Sequence, residues 1–287
     1  MTPRPRVGVV GVGAMGMGIA RTLLGKGFPV FARDIVQERE REALRHGAKR
    51  LDGDVDVLVS VVIDAAQTKS VIEAHAARAP VFVMCSTISP ADSARFAAAL
   101  DAVDVAMLDA PISGGPARAH AGTLSMMASG SGRAFELAQH VIDAVARKCF
   151  RIGERAGDGS RMKVVNNMLA AANIASACEA MAMASLLGLD LHQAADVIQA
   201  SSGASWMFGD RMPRALAADY APTAAARVLL KDVGLFVHEA RKLGLTAPMA
   251  ECAQEIFEDA IARGYAEEDD AALLKRYADA WDAKVPR

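Results

Sequence analysis

Residues 6–16 read RVGVVGVGAMG, a short β-branched run followed by Gly11, Gly13 and Gly16 and then by an apolar stretch of helical period. A G-x-G-x-x-G turn that follows a strand and opens a helix has a use for each glycine. Gly11 permits the tight turn, Gly13 lets a pyrophosphate approach the backbone, and Gly16 lets helix and strand pack closely. The helix N-terminus, at Ala14 and Met15, favours the negative charge. A glycine turn of this kind also occurs with no ligand, so its context decides. The second strand, PVFARD, ends in Asp34, and 34 − 16 = 18 residues past Gly16 is close to the roughly 20 at which an acid binds the ribose hydroxyls of a dinucleotide. Asp34 repels a 2′-phosphate and favours NAD. Arg33 beside it can bind that phosphate, stack on adenine or stay solvated, and it leaves NADP open.

Beyond this turn, the first half alternates helical patterns with the runs VDVLVSVV, VFVMCST, VAMLDAP, LSMMASG and KCFRIG. Strand and helix in alternation imply a parallel, doubly wound α/β sheet of Rossmann type with both faces covered. After about residue 160 the chain turns to Ala/Leu/Met-rich stretches at helical period, which predicts an all-helical second domain. The expected division is 1–162 for a NAD(P)-binding domain and 163–287 for a helical domain that serves substrate binding and oligomerisation. Ser160 reads as an N-cap at that boundary, and Gly188 as the end of the helix that follows.

Composition excludes several classes. With 287 residues, 52% hydrophobic, 23% charged and a net charge of −2, the chain has an ordinary globular composition, long enough for about two domains, and no nucleic-acid partner is expected. Cys85, Cys149, Cys178 and Cys252 are far apart and read as reduced structural thiols in apolar surroundings, which points to the cytoplasm. The first 16 residues lack a cleavage site and no run of 18 apolar residues occurs, so neither a signal peptide nor a membrane span is expected. The histidines form no H-E-x-x-H or close cluster, and no metal site is expected. No tyrosine begins a Y-x-x-x-K, which removes the residues of a short-chain dehydrogenase mechanism.

Two further stretches carry chemistry. DAPISGGP, residues 109–116, ends an apolar strand and so lies on the ligand-binding edge of such a sheet. Ser113 offers a hydroxyl, and the Gly114 and Gly115 amides form a nest for a carboxylate; a plain Gly-Pro turn is the competing reading. GDGSRMKVVNN, residues 157–167, places Lys163 and Asn167 one turn apart on one helix face. A lysine near a helix start is ordinarily a snorkelling surface residue. In a cleft, desolvation and the dipole would both disfavour its ammonium form, which suits a proton-transfer group.

On these residues the chain resembles the β-hydroxyacid dehydrogenase family, which includes 3-hydroxyisobutyrate dehydrogenase and tartronate semialdehyde reductase. The resemblance runs along nearly the whole chain: G-x-G-x-M-G at 11–16, STISP at 86–90, DAPISGG at 109–115, G-x-G-x-x-x-K-x-x-N-N at 157–167 and KDVGL at 231–235. It implies that Lys163 is the catalytic lysine and that Ser113, Gly114, Gly115 and Asn167 hold a small hydroxy acid. It implies that Thr87 lies by the cofactor, that Lys231 and Asp232 come from the helical domain to the cofactor and the substrate, and that the protein is a homodimer or homotetramer. Gln67, SSGASWMFGDRMP at 201–213, DYAPTAAARVLLKD at 219–232 and EEDDAAL at 267–273 depart from the generic pattern and resemble the branch of the family that oxidises L-threonate. Ala224, where many relatives carry phenylalanine, implies room for a longer or more hydroxylated acid, with Ser205, Trp206 and Arg211 as further candidates for contact with it. A non-catalytic dinucleotide sensor of the same fold would be expected to have lost Lys163.

Overall fold

The apolar run Val7–Val10 is β1, and its glycine turn leads into α1 (Ala14–Gly25). The computed structural model describes residues 4–287, so residues 1–3 of the expected first domain lie outside the described residues. The chain forms two compact units, one ending at Lys163 and the other beginning at Val164.

In the first unit the chain continues through β2 (Val30–Arg33), α2 (Gln37–Arg45), β3 (Lys49–Arg50), β4 (Val57–Ser60), α3 (Ala65–His75), β5 (Val81–Met84), α4 (Pro90–Asp101) and β6 (Ala106–Asp109). These six strands are parallel in the order β3-β2-β1-β4-β5-β6. The order reverses between β1 and β4, which puts the glycine turn at the topological switch point. Alternate residues fill the two faces. Val7, Val9 and Val57 pack with Ile19, Leu23, Phe135 and Ile142, whereas Leu58, Phe82 and Met84 pack with Phe96 and Leu100. Burial on both faces is why these strands read as continuous apolar runs.

The sheet is not parallel throughout. β7 (Ile112–Ser113), α5 (Gly115–Ala121), β8 (Leu124–Ser129), α6 (Gly132–Val145) and β9 (Ala146–Gly153) follow, and β8 runs antiparallel to β6 and β7, with β9 parallel to β8. The seven-residue α5 does not cross the sheet. It packs on α1, where a Cβ on Gly18 would stand 2.7 Å from Ala119 Cβ and where Thr22 Oγ1 donates to the Ala119 carbonyl at 2.7 Å. A parallel return needs a full crossover, and this connection is too short for one.

The boundary between the units falls inside α7 (Asp158–Leu186). This helix begins two residues before Ser160, so Ser160 is its third residue and not its N-cap. It ends as expected. Gly188 takes a φ of +75°, the Leu189 N–H reaches the Ala184 carbonyl and the Gly188 N–H reaches that of Ser185, the paired bonds of a Schellman cap. By length and composition α7 could cross a membrane; its Ile174, Cys178 and Met181 lie in the protein's own core.

The second unit adds α8 (Leu191–Gln199), α9 (Trp206–Leu216), α10 (Ala226–Lys242), α11 (Pro248–Ala262) and α12 (Leu273–Trp281). Phe208, Met212, Phe257 and Tyr277 fill its core. The stretches around 219–226 and 267–273 clasp each other. Asp270 N–H bonds the Ala224 carbonyl at 2.9 Å, and Ala226 N–H bonds that of Glu268 at 2.8 Å. Arg211, buried, donates through Nε to Asp270 Oδ1 at 2.7 Å, while Arg214 Nη1 reaches Asp269 Oδ2 at 3.1 Å. All four cysteines are free; Cys85 and Cys178 are buried, but Cys252 is exposed and so not in the expected apolar surroundings.

Candidate functional site

The carboxyl ends of the parallel strands gather most of the first unit's candidate residues on one sheet edge, where ligands of open α/β sheets bind. The glycine turn fits a dinucleotide by what each Cβ would meet. Gly11 has a φ of +85°, and a Cβ on Gly16 would overlap the Gly11 carbonyl oxygen. A Cβ on Gly13 would find nothing nearer than Arg39 Nη1 at 4.0 Å, so the backbone there stands open. No side chain caps α1 and its first turn, Ala14 and Met15 included, holds no acid, so a phosphate would meet the helix dipole without competition.

Asp34 is buried just past β2. Its Oδ2 accepts the Val12 N–H at 2.7 Å and its Oδ1 accepts the Val36 N–H at 2.8 Å. It therefore fixes the glycine turn as well as offering lone pairs to a ribose. Arg33 is not solvated freely. Its Nη1 lies 3.1 Å from Glu40 Oε2, and Glu40 is a nearly fully buried acid that sequence reasoning passed over. Thr87 follows β5 and is half-buried.

Ser113 ends β7, and Gly114 and Gly115 have φ of +131° and +71°, a turn that only glycines adopt without strain. A Cβ on Gly114 would also stand 2.6 Å from Arg118 Cδ. Lys163 is buried, and its Nζ donates to the carbonyl of Ile112, the residue before Ser113, at 2.7 Å. The structure thus brings Lys163 to the segment that holds the candidate carboxylate nest.

The start of α7, the helix that carries Lys163, is held by a residue absent from the expected set. Asp109, at the end of β6 with no exposed surface, accepts from the Gly157 N–H at 2.7 Å, the Ser160 N–H at 2.9 Å and the Ser160 hydroxyl at 2.8 Å. The Ser129 hydroxyl donates to it at 3.3 Å and accepts the Gly159 N–H at 2.9 Å. The orphan amides at the start of α7 are therefore capped from β6 and β8. Burial pushes the Asp109 carboxyl up, and the hydrogen bonds from Ser160 and Gly157 pull it back. Gly157 and Gly159 are each required by a close approach of backbone from another element. A Cβ on Gly159 would lie 2.7 Å from the Asp109 carbonyl oxygen, and one on Gly157 would lie 2.9 Å from that of Pro90.

In the second unit Asn167 Nδ2 donates to Asp232 Oδ2 at 2.6 Å, both buried, and Lys231 Nζ pairs with Asp232 Oδ1 at 2.6 Å. Asn166 donates to Asn167 Oδ1 at 3.0 Å. Asp232 thus joins two further residues of the expected set. Ser205 caps α9 by accepting the Phe208 N–H, and Arg211 is committed to Asp270; both do structural work, while Trp206 is exposed.

Residues 6–153 match the family described as the NAD binding domain of 6-phosphogluconate dehydrogenase, and residues 157–277 match the family described as NAD-binding of NADP-dependent 3-hydroxyisobutyrate dehydrogenase. An L-threonate dehydrogenase from Cupriavidus necator is 38% identical over 281 residues, covering 94% of this chain and 95% of its own. A 3-hydroxyisobutyrate dehydrogenase from Pseudomonas aeruginosa is 30% identical over 270 residues, covering 88% of this chain and 90% of its own. The crystal structure of a 3-hydroxyisobutyrate dehydrogenase from Salmonella typhimurium superposes with a TM-score of 0.89 at 39% identity, covering 94% of this chain and 99% of that one.

Proposed function

Given that the chain belongs to the β-hydroxyacid dehydrogenase family, oxidoreductases with an NAD-binding Rossmann domain, we propose that it oxidises L-threonate with NAD. The observation that carries dehydrogenase chemistry is the buried Lys163 with its Nζ held on the Ile112 carbonyl. Relatives of nearly equal identity carry both names, an L-threonate dehydrogenase at 38% and the Salmonella 3-hydroxyisobutyrate dehydrogenase at 39%, so the choice of acid rests on the hydroxyl partners that Ser113, Asn167 and Asp232 offer.

In this reading the Lys163 amine takes the proton of the substrate hydroxyl, and the carbinol carbon becomes a carbonyl. Bound nicotinamide supplies the acceptor for the hydride that leaves the same carbon. Ser113 and the Gly114 and Gly115 amides hold the carboxylate, while Asn167 and Asp232 give hydrogen bonds to the remaining hydroxyls. Gly11, Gly13 and Gly16, with the Ala14 and Met15 amides, hold the pyrophosphate; Asp34 holds the ribose, with Thr87 and Lys231 beside the cofactor. A 3-hydroxyisobutyrate, with a methyl in place of threonate hydroxyls, would bring an apolar group to the Asn167–Asp232 pair and forgo hydrogen bonds worth roughly 1–3 kcal/mol each. L-threonate is accordingly expected to exceed 3-hydroxyisobutyrate in kcat/KM by at least about tenfold, the worth of ~1.4 kcal/mol. Steady-state kinetics on both acids with NAD decides the point, and equal or reversed efficiencies reject threonate.

Asp34→Ala tests the cofactor end. Losing both the ribose acceptor and the anchor on Val12 should raise KM for NAD by about ten- to a hundredfold, the range for one charged hydrogen bond at about 1.5–3 kcal/mol, and improve the relative use of NADP. A wild-type protein that uses NADP as efficiently as NAD contradicts the assignment.

A further inference from the structure

We propose that Glu40 is a cofactor-specificity residue: it holds Arg33 and Arg50 away from a 2′-phosphate and so enforces the choice of NAD. The inference deepens the cofactor reading above and rests on it. Glu40 sits on α2 behind the end of β2, and its side chain is only 5% exposed. A carboxylate hidden to that extent needs strong partners. It has three: Arg33 Nη1, within 3.3 Å of both oxygens, Arg50 Nε at 2.8 Å from Oε1, and the Asp34 N–H at 3.2 Å from Oε2. Burial works against the Glu40 charge, yet the bonds from Arg50 and Asp34 and the nearby guanidinium charges hold its carboxyl below the usual range.

The charge count explains the consequence. Arg33 and Arg50 bring two positive charges to the strand end where the adenosine ribose binds in this fold. Unopposed, a guanidinium there grips a phosphate through paired N–H groups, and Arg33 and Arg50 keep half or nearly half of their side-chain surface exposed or more. Glu40 and Asp34 cancel both charges. Glu40 also fixes the geometry: Arg33 Nη1 is turned back toward α2, and the Asp34 backbone is pinned by the same carboxylate. Asp34 alone repels the 2′-phosphate. With Glu40 in place, the arginine beside it cannot compensate.

Titration calorimetry on the intact protein with NAD and NADP, which differ only in the 2′-phosphate, tests this without turnover. Glu40→Gln keeps the side-chain volume and an acceptor for the Asp34 N–H but frees the arginines. It should tighten NADP by about fivefold, the scale of one half-exposed charged contact, with NAD changed less than about twofold. Adding Arg33→Ala to that variant should erase the gain. A folded Glu40→Gln protein with an unchanged NAD-to-NADP affinity ratio overturns the assignment while leaving the cofactor reading intact. Arg33→Ala in the otherwise unaltered protein gives an independent result should Glu40→Gln not fold. NADP binding within about twofold of the starting value supports sequestration, whereas a loss of about tenfold shows Arg33 already engaged with the phosphate and refutes it. Binding of neither dinucleotide by the unaltered chain would bring down the cofactor reading and this proposal together.

Discussion

Lys163→Ala is expected to lower kcat by about 10²- to 10⁴-fold, the usual contribution of a positioned acid–base group, while the dissociation constant for NAD stays within about twofold of the starting protein. The separation follows from placement. The residues that fit the dinucleotide cluster on the glycine turn and the end of β2, whereas Lys163 lies on α7 with its Nζ on the Ile112 carbonyl. Lys163→Arg should be nearly as inactive, because a guanidinium keeps a donor for Ile112 but does not give up its proton at neutral pH. Stopped-flow or steady-state turnover alongside calorimetry of NAD binding measures both quantities, and a near-normal kcat in either variant would remove Lys163 from the chemistry.

Asp109→Ala is the largest stability effect expected in the first unit. It strips the acceptor from two backbone N–H groups and two hydroxyls in a site with no exposed surface. At roughly 1–3 kcal/mol for a buried donor left unsatisfied, and with partial relaxation, the cost should be about 3–5 kcal/mol. For a chain of this size that is a fall in Tm of roughly 6–20 °C. Asp109→Asn preserves the shape but turns an amide toward some of those donors, and should lose about half as much. Because Asp109 anchors the first turn of α7, Asp109→Asn should also lower kcat more than it raises KM. Thermal unfolding by circular dichroism reads the first effect, and an alanine variant melting within about 2 °C of the parent would show that the first turn of α7 is held by other contacts.

Features that depend on local spacing are legible in the residues alone. Three glycines between a β-branched run and a helix, with Asp34 a fixed distance beyond, specify a strand, a turn and a phosphate-accepting helix start, because each requirement is met within about 30 residues. The change of period near residue 160 likewise announced the helical second unit, and Gly188 its helix cap, because αL backbone favours glycine wherever it occurs. Features that depend on contacts between distant segments emerge only on folding. Asp109 caps a helix 49 residues further on, displacing Ser160 from that role, since a carboxylate brought by the sheet edge reaches amides that a local cap would otherwise have to satisfy. β8 turned antiparallel because α5 docks on α1 rather than crossing the sheet, a matter of packing that no strand's own residues encode. From their positions in the chain, Arg33 and Arg211 are candidates for ligand contact, with a solvated or packing role equally open. Buried Glu40 and Asp270 pair with them, because a charge removed from water is held by the nearest opposite charge, and which charge is nearest is fixed only when the chain is folded.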